Sequence, residues 1–206
     1  LFYSDSKLLE GNEEIEMIKV FTQPLGPVEA NCYVVVKDHH ALVIDPGDDF
    51  SALKRLLTEE EATLDAILLT HAHFDHIGGL DGLIEEYGVD VYMNPKEFDF
   101  LDDMRLNGSA YFYAKVKSHA VPKAVHDGMQ KIGAFEVEAK TLPGHSVGST
   151  IYRIEDALFT GDVLFQGSVG RVDLPTGSER DMMASIQYLK TLPQDLVVYP
   201  GHGPAT

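Results

Sequence analysis

Cysteine is nearly absent: Cys32 is the one example in 206 residues. An internal disulfide is therefore excluded, and the chain fits a reducing compartment. Its setting in NCYVVV is that of a small buried hydrophobe. Positive charge is scarce as well, with 16 lysines and arginines against 33 aspartates and glutamates, a formal net charge of −17. That excess repels nucleic acid and removes it as a partner. Long hydrophobic runs are missing; AILL and YVVV are typical, far too short to span a bilayer, and nothing has the layout of a signal peptide. The expectation is a cytoplasmic protein that acts on a small molecule, with no nucleic-acid or membrane partner. Its oligomeric state is left open.

What remains is a chain with 44% hydrophobic and 24% charged residues and no low-complexity tract, enough for one sizeable core. Residues 1–16 are polar, acidic and without a period, and are expected to be an N-terminal extension or a cloning remnant. Residues 17–206 are expected to be a single domain. Short β-rich runs occur at IKVF, NCYVVV, ALVID, LDAILLT and VDVYMN, and again at GAFEVEAKTL, STIYRI, ALFTG and DLVVYP. Helical spacing runs from Ser51 to about Glu60, where Ala52, Leu53, Leu56 and Leu57 share a face, and from Ile77 to Tyr87, where Leu80, Leu83, Ile84 and Tyr87 do. PKEFDFLDDM reads as a helix with proline in its first turn. Ser178 and Asp181 form a capping-box pattern opening a helix to about Thr191. Asn107 to Ala120 has no period and reads as a loop or lid. Two groups of strands with helices outside predict an α+β fold of two packed sheets.

The stretch THAHFDHIGG crowds His71, His73, Asp75 and His76 into six positions. Imidazoles and carboxylates so close would repel or go unpaired unless a cation collected them. Other groups of the same chemistry end other strands: Asp45 after ALVID, His145 after AKTLPG, Asp162 after ALFTG and His202 after DLVVYPG. Strand ends meet along one edge of a sheet assembly, so these residues can converge. The set lacks a cysteine ligand, which argues against a closed structural zinc site and for zinc, iron or manganese in an open one. A catalytic zinc takes three protein ligands, and the candidates here suffice for two ions. His71 and His73 reach one ion from an extended turn, Asp75 and His76 point to a neighbour, and the carboxylate of Asp162 can bridge. By contrast, His39, His40 and His126 lie in polar, turn-like stretches and read as ordinary surface histidines, while His119 lies near the expected lid.

THAHFDH, PGHS at 143–146, TGD at 160–162 and PGH at 200–202 resemble, in that order, the motif set of the metallo-β-lactamase superfamily. NCYVV, VIDPGD, TGDVLFQGS and SVGRVDLPTGS are similar to its single-domain glyoxalase II-like (hydroxyacylglutathione hydrolase-like) hydrolases. The resemblance implies a four-layer αββα sandwich. It also implies a ligand split of His71, His73 and His145 at one ion, Asp75, His76 and His202 at the other, and Asp162 at both. Asp75 and Asp162 become the catalytic carboxylates, and Asp45 orients a ligand.

The activity expected from this set is hydrolysis by a hydroxide held between two divalent ions, zinc first, with iron or manganese as alternatives. No further general acid stands out, which favours a thioester, whose thiolate leaves with little help. GSVGRVDLP has glycines but no lysine at the phosphate-loop position, which disfavours that route to phosphate binding. Arg171 and Asp173 either tie down a loop beside the metals or leave Arg171 free to grip a substrate carboxylate; Tyr111, Tyr113 and His119 are the other candidates for the substrate pocket. Two further readings share these motifs: a mononuclear iron persulfide dioxygenase, and a metal-binding sensor or scaffold without turnover.

Overall fold

Side chains alternate across a strand, and in the strand Ala30–Lys37 seven of eight residues are buried, so both faces are covered. Cys32, Val34 and Val36 enter one apolar cluster and Tyr33 and Val35 another. The computed structural model describes residues 3–5, 17–112 and 114–206. In chain order its strands are β1 (Tyr3–Asp5), β2 (Lys19–Leu25), β3 (Ala30–Lys37), β4 (His40–Ile44), β5 (Thr63–Leu68), β6 (Asp90–Met93), β7 (Lys123–Ala124), β8 (Gly128–Ile132), β9 (Phe135–Thr141), β10 (Thr150–Ile154), β11 (Ala157–Gly161) and β12 (Val197–Pro200). The first seven form one sheet in sequence order; the other five form a second, ordered β12-β11-β10-β9-β8. Pairing in the first sheet is antiparallel from β1 to β4 and parallel from β4 to β7. The second is antiparallel except for β11 with β12.

Three clusters define the layers. Between the sheets, Tyr33, Leu42 and Ile44 meet Val137, Tyr152 and Phe159. Phe159 lies edge-on to Tyr33 at 5.3 Å and stacks on Tyr199 at 5.2 Å, contacts worth about 0.5–1.5 kcal/mol each beyond their burial. Outside the first sheet sit α1 (Leu53–Glu59), α2 (Phe74–Ile77) and α3 (Leu80–Tyr87), burying Leu53, Leu56, Leu80 and Leu83 against Val34 and Val43. Outside the second sheet, α4 (Glu179–Leu189) sets Met182 on Ile151 and Leu158. This is the αββα sandwich expected from the motifs.

Several elements differ from expectation. The helix expected over Ile77–Tyr87 starts at Leu80 as α3, and Ile77 instead closes the short α2; at Gly78 and Gly79 between them the loop after β4 comes close. A Cβ on Gly78 would lie 2.3 Å from the carbonyl oxygen of Gly47, and one on Gly79 2.1 Å from that of Asp48. The helix expected in PKEFDFLDDM is a 3₁₀ turn, Pro95–Leu101, capped by the Asn94 side chain. The loop expected over 107–120 contains a short 3₁₀ turn at Ser109–Phe112. The edge strands β7 and β8 had no clear signal. Of the expected extension over 1–16, Tyr3–Asp5 pairs with β2, and the rest lies outside the described residues. Among the described residues no helix is long and apolar enough to cross a membrane.

The two sheets are joined at one edge by hydrogen bonds that cross between them. Thr150 N–H donates to the Thr70 carbonyl at 2.8 Å, and Asn31 N–H to that of Gly201 at 2.7 Å. The Asn31 amide donates to the Pro200 and Gly203 carbonyls, and the hydroxyls of Tyr33 and Tyr152 to those of Pro200 and Leu69. Five loops open from this edge.

Candidate metal centre

These five loops follow β4, β5, β9, β11 and β12, and they carry Asp45, the HAHFDH run, His145, Asp162 and His202. The strands are held by the core, so the loop bases are fixed and their side chains converge. His71, His73 and His145 offer ligand atoms within 4.8 Å of one another, and so do Asp75, His76 and His202. Asp162 stands between the two sets. Its Oδ2 is 3.5 Å from His145 Nε2 and 3.7 Å from His202 Nε2, while its Oδ1 is 3.5 Å from His76 Nε2. Asp75 Oδ2 lies 3.3 Å from His202 Nε2 and 3.8 Å from His76 Nε2.

Hydrogen bonds behind the rings set their orientation. His71 Nδ1 meets the Thr70 hydroxyl at 3.1 Å, and that hydroxyl donates to Asp45 Oδ2 at 2.6 Å, so His71 Nδ1 is the donor and Nε2 keeps its lone pair. His76 Nδ1 donates to the same Asp45 oxygen at 3.0 Å. His145 Nδ1 donates to the Arg171 carbonyl at 2.8 Å, which turns its Nε2 to His73 Nδ1, 2.8 Å away. Asp45, His71 and His76 form a third close group, but both Asp45 oxygens are taken by Thr70 and His76. Asp45 is thus placed behind the rings, hydrogen-bonded to His76 directly and to the Thr70 hydroxyl that meets His71. It holds a left-handed backbone, φ 53°, which aspartate adopts more readily than most residues.

Charge divides along the same line. Burial and then the imidazoles of His76, His145 and His73 push His71 well below the ordinary histidine value. Burial, with His145 next, pushes His73 down to about 3. Both are neutral, with lone pairs to give. For His76, burial opposes protonation, but Asp45, Asp75 and Asp162 outweigh it and raise the ring well above its usual value. For Asp162, burial works to raise the carboxyl, and His76, His145 and His202 outweigh it and hold it well below the carboxylate range. The fit to cations is visible in the polar atoms left over. His71 Nε2, His73 Nε2, His76 Nε2 and Asp162 Oδ1 are buried with no hydrogen-bond partner, and such orphans are rare without an ion or water to meet them.

The expected pocket residues fare unevenly. Arg171 makes a bidentate pair with Asp173 at 2.6 and 2.7 Å and sits over the Phe112 ring at 6.0 Å. Tyr111 is exposed. His119 is held through its backbone by Asp81 of α3 and is not brought to the cluster. Tyr113 lies outside the described residues. His39 and His40 find partners elsewhere, in the Glu61 carbonyl and the Asp65 carboxylate. Sequence reasoning missed Thr70 and Phe112. The first is visible only through its contacts, and the second forms a wall with Phe74, centroids 5.2 Å apart. It missed Glu97 as well, buried behind the loops.

Residues 25–202 match the sequence profile described as the Metallo-beta-lactamase superfamily. The chain is similar to the probable metallo-hydrolase YqgX of Bacillus subtilis, 42% identical over 191 residues that cover 89% of each chain. It is also similar to the hydroxyacylglutathione hydrolase GloC of Haemophilus influenzae, 30% identical over 89% of this chain and 90% of that one. Of solved structures, the BLEG-1 B3 metallo-beta-lactamase matches with a TM-score of 0.86 at 41% identity, over 92% of this chain and 93% of its own. TTHA1623 in a di-iron-bound form matches with a TM-score of 0.82 at 37% identity, over 91% and 94%.

Proposed function

The chain belongs to the metallo-β-lactamase superfamily, and from that premise we propose that it is a hydrolase working with two divalent metal ions, its substrate a thioester. The observation that carries this is the position of Asp162, with one carboxylate oxygen facing both His145 and His202 and the other facing His76. His71, His73 and His145 would hold one ion, Asp75, His76 and His202 the second, and Asp162 would serve both. Bound there, two divalent ions supply the charge that polarises a carbonyl and makes water nucleophilic near neutral pH. Zinc is the first choice; the di-iron form of TTHA1623 makes iron the alternative.

The chain's own residues prepare the site. Asp45, Thr70 and the Arg171 carbonyl engage Nδ1 of His76, His71 and His145, so the Nε2 atoms of the three rings are held facing inward. Phe74, next in sequence to His73, packs on Phe112 with Arg171 above, an apolar surface against which an acyl group would pack. A thiol near pKa 8.5 departs as its anion, whereas an amine must be protonated, which favours the thioester over an amide. The name of GloC points to the same substrate class.

The likeness to a B3 metallo-beta-lactamase supports a second reading, hydrolysis of a β-lactam amide. One experiment separates them: zinc-loaded and iron-loaded protein assayed against S-lactoylglutathione, a panel of other thioesters, a chromogenic cephalosporin and glutathione persulfide, with oxygen monitored. The proposal expects metal-dependent thioester cleavage without oxygen uptake. Turnover of the cephalosporin alone, or oxygen uptake with glutathione persulfide by iron protein alone, would overturn it.

A further inference from the structure

Glu97 is wholly buried, and its hydrogen bonds go to no residue of the two candidate ligand sets. A carboxylate hidden from water requires donors, and three converge on it. Its Oε2 accepts from the Ala72 N–H at 2.7 Å; its Oε1 accepts from the Gly148 N–H at 2.7 Å and from the Ser146 hydroxyl. Ala72 lies between His71 and His73, and Ser146 and Gly148 follow His145. One side chain therefore grips, mostly by their backbone, the two loops that carry all three histidines of the first set, at points beside His71, His73 and His145; Asp75 and His76 follow further along the first loop, on α2.

The surroundings are shaped for this grip. Asn94 caps the 3₁₀ turn bearing Glu97 and donates to Thr141 and Thr150 of the second sheet at 2.9 and 3.2 Å, so the turn is anchored across the sandwich. Gly148 leaves room for nothing more: a Cβ there would lie 2.7 Å from Glu97 Cγ. The second set hangs from other supports, with His76 on Asp45 and the His202 loop on Asn31 and Tyr33.

We propose that Glu97 is a positioning residue that fixes the spacing of the loops bearing His71, His73 and His145, and so sets metal affinity at that subsite while leaving the Asp75–His76–His202 subsite unaffected. This rests on the binuclear reading above. Glutamine has the same shape but turns an NH₂ towards at least one of three donors, so Glu97→Gln tests the all-acceptor role.

The test measures zinc affinity in two single-subsite backgrounds, His202→Ala to isolate the first and His145→Ala to isolate the second, with circular dichroism as the check on folding. Glu97→Gln is expected to weaken the first by roughly 10–100-fold, the usual range for a residue supporting a ligand, and to leave the second unchanged. Unchanged affinity at the first subsite, or an equal loss at both, overturns the proposal. If the glutamine variant does not fold, Ser146→Ala removes one donor while keeping the carboxylate, and the same selective or non-selective loss decides. Native protein that binds no second ion would instead count against the binuclear reading, which keeps the two failures distinct.

Discussion

At the scale of single residues, the chemistry sits in side chains that the sequence displays and is tuned by contacts it hides. His71, His73, Asp75 and His76 are legible because so dense a run of metal-binding groups has few other uses. Thr70 and Glu97 are not, since an ordinary threonine and an ordinary acid acquire their roles only when β5 and the 95–101 turn are folded behind the loops. The Arg171 carbonyl that orients His145 is backbone and leaves no trace in residue type. Two substitutions test this scale. Asp162→Ala removes the one carboxylate shared by both sets, so metal content should fall at both and hydrolysis should be abolished with the fold retained; elemental analysis with circular dichroism checks it. Asp45→Asn should weaken the grip on His71 and His76, lowering metal affinity or activity by about 10–100-fold, read by competition with a chromophoric chelator.

Elements were legible where burial imposes a period. β3 and β4 are covered on both faces and show as unbroken apolar runs, while β8 buries only Ile132 and gives no pattern. The 95–101 turn buries Glu97, Phe100 and Leu101, an i, i+3, i+4 spacing that reads as an α-helix although the turn is 3₁₀. The break between α2 and α3 was hidden because the 47–48 backbone that comes close there is distant in sequence. The start of α4 was readable from local chemistry alone: the Ser178 hydroxyl accepts from the Asp181 N–H at 3.2 Å. Ser178→Ala should cost about 1 kcal/mol of stability, measured by urea denaturation, and should leave metal stoichiometry unchanged.

For the whole molecule, function gathers at one end of the sandwich. The opposite end carries a cavity of about 470 Å³ whose lining includes Lys37, Glu138, Arg153 and Glu155; its two cations are already paired, Lys37 with Glu155 and Arg153 with Glu138. At the metal end, closely packed imidazoles and carboxylates oppose folding unless cations join them. Ions that bind only the folded chain stabilise it by about 2.7 kcal/mol at a hundredfold excess over Kd. For a chain of this length that corresponds to roughly 5–10 °C in Tm, so a chelator should lower the melting temperature by that amount and zinc should restore it. The central claim is that the two sets hold two ions sharing Asp162. Elemental analysis of metal-replete protein, dialysed free of excess metal, tests it most directly. Close to two ions per chain is the predicted result, and one ion or fewer would contradict it.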